Sequence, residues 1–132
     1  MPGLTIGEAA QRMGLSIDTL RYYEKISLLQ RIARDPSGRR CYMPEDLSRL
    51  RFIQRAKRCN FSLEEIRQLL EFKSCRDVAR PEVAQLTEHK LHEIRHRMAD
   101  LDQLQQELSR LLELCRGSNQ GCPIIDGLET SD

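Results

Sequence analysis

The chain has 132 residues, no Trp, 5% aromatic residues and 31% charged residues. That length holds one domain, or one small domain plus an arm. That composition suits helices with narrow apolar stripes and argues against a thick β core. No apolar run approaches the roughly 18 residues of a membrane span. The start, "MPGLTIGEAAQRMG", lacks the basic flank and apolar run of a signal peptide. A soluble, cytoplasmic protein with no membrane partner is expected.

The net charge of +1 hides an asymmetry. Residues 1–70 hold 13 Lys and Arg against 8 Asp and Glu, whereas residues 71–132 hold 8 against 12. A basic first half and an acidic second half predict that only the first half faces a polyanion. Five cysteines make an odd set without the spacing of a disulfide scaffold. In a reducing compartment they act as small hydrophobes or as reactive thiols.

In chain order, Thr5 can cap a first helix, and Glu8 three residues on completes a capping box. Ile6, Ala9, Ala10 and Met13 share one face, and Gly14 ends the helix. Ser16 can cap a second helix, "IDTLRYYEK". Two short helices around a tight turn make a helix-turn-helix pattern, which a generic helix corner also shares. In the second helix one tyrosine of Tyr22 and Tyr23 must pack inward, and Arg21 offers a planar fork to phosphate or a guanine edge.

Asp35-Pro36-Ser37-Gly38 has turn chemistry. With its short flanking runs it predicts a small hairpin, or wing, carrying Arg31, Arg34, Arg39 and Arg40. Pro44 opens a third helix with Leu47, Leu50, Ile53 and Ala56 as its stripe, and Asn60 suits a left-handed cap. Ser62 and Glu65 form a second capping box before "LEEIRQLLEF". After Pro81 no Pro or Gly appears until Gly117. That stretch reads as one helix of about 35 residues, about 52 Å long.

Along the long helix Leu91, Ile94, Met98, Leu101, Leu104, Leu108, Leu111 and Cys115 recur at three- and four-residue steps. Such a stripe calls for a coiled-coil partner, most simply a second copy. His89, His92 and His96 point the other way and read as a solvated face. Gly117, Gly121 and Pro123 break the helix, and "PIIDGL" reads as a short apolar tail.

"LTIGEAAQRMGLSIDTLRYYEKISLL", "SGRRCY" and "LRFIQRAKRCNFSLEEIRQLL", in that order, resemble the MerR family of transcription regulators. The resemblance implies a mainly α fold. A winged helix-turn-helix DNA-binding domain (1–72) and a linker (73–80) would precede a long antiparallel dimerisation helix (81–116), with an effector-binding loop and tail (117–132). It implies a homodimer on operator double-stranded DNA that distorts an overlong promoter spacer for RNA polymerase, with no enzymatic activity. It carries DNA contact onto Ser16, Arg21, Tyr22, Arg34, Arg39, Arg40 and Tyr42. The chain departs from the pattern at Ser27 and Asn60, where Gly is common, and at Arg39, where Tyr is common. Asn tolerates a left-handed backbone; Ser27 predicts a different or strained turn.

Cys115 and Cys122 bracket six residues, "RGSNQG". Paired thiolates select soft ions. Followed by "CPII", the pair resembles the metal-binding loop of the family's metal sensors. Divalent-metal members place a third Cys at the start of the long helix, where this chain has Arg80 or its neighbour. Cys75 lies a few residues earlier. The expectation is therefore a thiophilic divalent ion (Hg2+, Pb2+, Cd2+ or Zn2+) on Cys115, Cys122 and Cys75. The alternative is a two-thiolate site for Cu+ or Ag+. Cys41 and Cys59 are expected to pack as hydrophobes. Three readings compete: a thiol redox or electrophile sensor, a thiol enzyme using Cys122, and an architectural DNA-binding dimer with no ligand.

Overall fold

The computed structural model describes residues 3–75, 80–117 and 121–130. Its elements are α1 (Ile6–Met13), α2 (Ile17–Lys25), β1 (Ala33–Arg34), β2 (Arg40–Cys41), α3 (Pro44–Arg58), α4 (Leu63–Lys73), α5 (Arg80–Gly117) and α6 (Pro123–Thr130). They form two compact units, Met1–Leu86 and Thr87–Asp132.

The first unit starts with the expected capping box. The Thr5 hydroxyl accepts from the Glu8 N–H at 3.1 Å, and the Glu8 carboxylate accepts from the Thr5 N–H at 2.9 Å. Both orphan donors at the start of α1 are thus satisfied locally. Gly14, at φ 67°, ends α1 in the left-handed region. Glycine enters that region without a Cβ penalty. Ser16 caps α2 through the Thr19 N–H at 3.0 Å.

The wing is a two-stranded antiparallel hairpin with Ala33 opposite Cys41 and Arg34 opposite Arg40. The N-terminal segment adds to it: the Leu4 N–H donates to the Tyr42 carbonyl at 2.8 Å, and the Tyr42 N–H to the Leu4 carbonyl at 2.7 Å. This pairing takes Tyr42 inward.

In α3, Pro44 occupies the first turn and the Asp46 carboxylate accepts from the Met43 N–H at 2.8 Å. Leu47, Leu50, Ile53 and Ala56 are all buried, as their spacing predicts. Asn60, at φ 72°, supplies the left-handed step after α3, with the Phe61 N–H returning to the Ala56 carbonyl at 3.2 Å. Ser62 and Glu65 cap α4 reciprocally at 3.1 and 2.7 Å. The fully buried side chains are Tyr42, Leu20, Leu28, Leu50, Ile53 and Ile66. Each such aliphatic residue stabilises the fold by about 1.5–3 kcal/mol.

Ser27 lies at φ 62°. The strain expected there is present, and the carbonyls on either side of it are held from two helices. The Arg49 Nε of α3 donates to the Leu28 carbonyl at 2.9 Å. The Arg67 guanidinium of α4 donates to the Ile26 carbonyl.

Helix α5 has 38 residues. Its length is about 57 Å at the α-helical rise. Most of its stripe is bare: Leu91, Met98, Leu101, Leu104 and Leu108 are exposed, Met98 and Leu101 by 64 and 65%, while Ile94 and Cys115 are half-buried and Leu111 is buried. His89, His92 and His96 are exposed as expected, with His89 Nε2 3.0 Å from Glu93 Oε1. Lys90 is buried, its Nζ 2.8 Å from Glu93 Oε2. The segment read as an apolar tail is instead a helix, α6. Residues 76–79, within the expected linker, and 118–120, within the expected loop, lie outside the described residues.

A left-handed non-glycine residue costs about 1–2 kcal/mol. Ser27→Gly should therefore stabilise the protein by about 1 kcal/mol, after allowing for the extra freedom glycine brings to the unfolded chain. A raised urea midpoint at unchanged slope is the expected result; an unchanged or lowered midpoint would show that the turn carries no strain.

Candidate nucleic-acid interface and thiol pair

The first unit carries a groove of about 410 Å³ lined by Thr5, Ile6, Arg21, Arg34, Arg39 and Arg40. The segment leading into α1, helix α2 and the wing thus bring four of the expected DNA-contacting arginines together. A cleft lined by one sign of charge concentrates the opposite charge within it.

The arginines are held differently. Arg21 sits loosely, 3.9 Å from the Asp18 carboxylate with both side chains well exposed. Such a pair contributes little. Arg34 donates through Nη1 to the Gly38 carbonyl at 2.8 Å, bracing its own hairpin turn. Arg40 donates through Nε to Glu24 Oε1 at 2.7 Å, and this pair is about three-quarters buried. It joins the wing to α2. Glu24 carried no signal in the sequence, because its partner lies 16 residues away in the chain.

Asp35 organises the hairpin turn. Its Oδ1 accepts from the Ser37 hydroxyl at 2.7 Å, the Arg39 N–H at 2.9 Å and the Ser37 N–H at 3.0 Å. The Ser37 hydroxyl first, then the Arg39 N–H, hold the carboxyl below its ordinary range.

The structure divides the remaining expected contacts. Tyr22 is 50% exposed while Tyr23 packs in the core, the split that one packed helix face requires. Ser16 is exposed but its hydroxyl is committed to the α2 cap. Tyr42 is a correction: it is fully buried, and its hydroxyl has no hydrogen-bond partner. It belongs to the core beneath the groove. Burial, ahead of the nearby Glu24 carboxylate, pushes its pKa up, so the ring stays neutral.

In the second unit Cys115 and Cys122 are both half-buried free thiols. Cys115 lies in the last turn of α5. Cys122 immediately precedes α6, and its carbonyl accepts from the Asp126 N–H at 2.9 Å. Cys75 is an exposed free thiol just after α4, in the first unit. Among the described residues of one chain, no three His, Cys, Asp or Glu side chains converge as a metal site. The donor chemistry of the 115–122 pair nonetheless suits a soft ion. Cys41 is half-buried, its Sγ 3.9 Å from the Met43 Sδ. Cys59, expected to pack, is exposed at the end of α3. The helix ends there, so its side chain falls beyond the Leu47–Ala56 stripe.

Arg39→Ala should lessen the salt dependence of operator binding by about one unit of log K per log salt, the signature of one lost phosphate contact. Tyr42→Phe should leave operator affinity unchanged, since it removes a buried hydroxyl without a partner. The reverse pattern would place Tyr42 at the DNA. Asp35 makes the wing pH-sensitive. Its folded pKa is depressed, so its contribution is complete above the unfolded value and is lost as pH falls through the folded one. Amide exchange at Ser37 and Arg39, corrected for intrinsic rates, should accelerate in that acid range and, in Asp35→Ala, already at neutral pH. Protection that ignores both changes would contradict this role.

Residues 4–73 match the family described as MerR HTH family regulatory protein, and residues 47–111 match that described as MerR, DNA binding. The chain is 40% identical over 126 residues to the HTH-type transcriptional regulator HmrR of Rhizobium leguminosarum bv. viciae, covering 95% of this chain and 97% of that one. It is 36% identical over 131 residues to the mercuric resistance operon regulatory protein of Pseudomonas fluorescens, covering 98% and 90%. Among solved structures, it resembles the transcription regulator PbrR691 from Ralstonia metallidurans CH34 in complex with lead(II). There the TM-score is 0.78 and the identity 31%, covering 95% of this chain and 98% of that one. These relatives are regulators, so the thiol-enzyme reading is set aside. The arginine groove, the helix-turn-helix that builds it and these matches together show that the chain belongs to the MerR family of helix-turn-helix transcription regulators.

Proposed function

We propose that the protein is a homodimeric, cytoplasmic regulator that senses a thiophilic metal ion and activates a metal-resistance or efflux promoter by distorting its operator for RNA polymerase. The observation that carries the sensing reading is the pair of half-buried, unbonded thiols, Cys115 and Cys122, flanking the junction of α5 and α6. The mercuric and lead(II) relatives support it.

The first unit does the DNA work. Arg21, Tyr22, Arg34, Arg39 and Arg40 meet the duplex, with Ser16 at the start of α2. Phosphate contacts fix register, and bending or untwisting the duplex supplies the switch. The bare stripe of α5 seats a second copy. Its exposed leucines at helical spacing need a partner of the same kind, and an antiparallel coiled coil supplies one.

Thiols bind such an ion as thiolates and release their protons on binding, so affinity for the ion falls in acid. With Cys75 as third ligand the site takes a divalent ion such as Hg2+, Pb2+, Cd2+ or Zn2+. A two-thiolate site for Cu+ or Ag+ is the second reading; it needs only the two thiols that flank the α5–α6 junction.

Anaerobic titration of the reduced protein with Hg(II), Pb(II), Zn(II) and Cu(I) tests this reading, followed by thiolate charge-transfer absorption. Cys115→Ser and Cys122→Ser should each abolish tight uptake. Loss of divalent binding in Cys75→Ser assigns three thiolates; an unchanged titration assigns two. A native protein that takes up none of these ions would overturn metal sensing in favour of thiol redox sensing.

A further inference from the structure

Leu111 is the one buried apolar residue of α5 among the described residues, only 7% exposed, while Leu108 and Leu112 beside it are 55 and 42% exposed. Helix α6 covers it. A Cβ built on Gly127 would lie 2.8 Å from Leu111 Cδ2, 3.7 Å from Cδ1 and 3.8 Å from Cγ. The two helices therefore touch at a point where a larger residue would force them apart or displace the leucine. Ile125 and Leu128 of α6 are 56 and 58% exposed.

The position of the contact matters more than its area. Leu111 stands one helical turn before Cys115 on α5. Gly127 stands five residues after Cys122 on α6, and α6 begins directly after that cysteine. Each partner in the contact is rigidly joined, through helix, to one of the two thiols. The segment between the thiols contains Gly117 and Gly121, the latter at φ 68°.

We infer that the Leu111–Gly127 contact is a clasp that sets the spacing of Cys115 and Cys122, making Gly127 a positioning residue for soft-metal capture. The inference rests on the sensing reading above. Gly127 touches no ion; it acts by letting α6 lie close against α5. Outer partners that orient ligands typically change metal affinity about ten- to hundred-fold when lost. Valine at position 127 would meet the Leu111 side chain, so α6 moves outward unless the leucine turns away, and truncating Leu111 makes room for that valine.

The test is competition titration of the reduced full-length protein with Cd(II) against a chelator, read by thiolate charge-transfer absorption. It is paired with amide exchange of α6 in the metal-free protein. Gly127→Val should weaken Cd(II) binding about tenfold or more and raise exchange along α6. The double variant Gly127→Val with Leu111→Ala should recover most of both. Native-like Cd(II) affinity in Gly127→Val overturns the clasp while leaving metal sensing intact. Weakened affinity that the double variant does not rescue also overturns it, since the loss would then be one of general stability. If the native protein takes up Cu(I) and not Cd(II), the same comparison is read with Cu(I) against a chelator; a native protein that takes up neither ion overturns the sensing reading and the clasp with it.

Discussion

In the first unit the wing is tied to α2 by one largely buried ion pair, Arg40 with Glu24. A two-residue strand pair cannot fix its own orientation, because so short a hairpin has few ladder bonds and little buried area. The pair supplies that orientation by joining β2 to α2 through a bond of 2.7 Å. Such charge-assisted bonds are the strong ones. Its desolvation cost is offset only while both partners are present. The wing and α2, which both line the arginine groove, are thereby joined directly.

A second pair of arginines does related work behind the groove. Arg49 and Arg67 approach the turn after α2 from different helices and bond the carbonyls on either side of Ser27. The strained residue persists because its neighbours are pinned. The same bonds link the end of α2 to α4, the helix that precedes the segment leading to α5. The turn that shapes the DNA-binding surface and the helix that leaves it are in direct contact.

Much of this was legible in the sequence where physics is local. The capping boxes at Thr5–Glu8 and Ser62–Glu65, the left-handed Asn60, the strain at Ser27 and the stripe of α3 all follow from residues within a few positions of one another. The DNA contact that the resemblance carried onto Tyr42 fails here, and the local sequence could not warn of it: a two-residue strand shows no alternation, and the pairing that accompanies its burial is with Leu4, far earlier in the chain. Glu24, Arg49 and Arg67 were missed for the same reason: their partners are distant in the chain. Helix α6 read as a tail because Gly127 sits within it. Glycine argues against helix on propensity. Its use here, close approach to Leu111, is a packing property. At the thiols, spacing singles out Cys115 and Cys122, whereas the approach of Gly127 to Leu111 beside them is a packing feature that spacing does not show.

The bare leucines of α5 tie the folded state to abundance. Two chains that bury such a stripe together gain stability by mass action, so the population of the assembled regulator rises with its own concentration. A cell holding few copies would keep part of its pool as single chains, each displaying an apolar ridge that proteases and chaperones recognise. Synthesis rate therefore sets how much of the pool is assembled as well as how many chains exist, and dilution during growth weakens the regulator faster than in proportion to its loss.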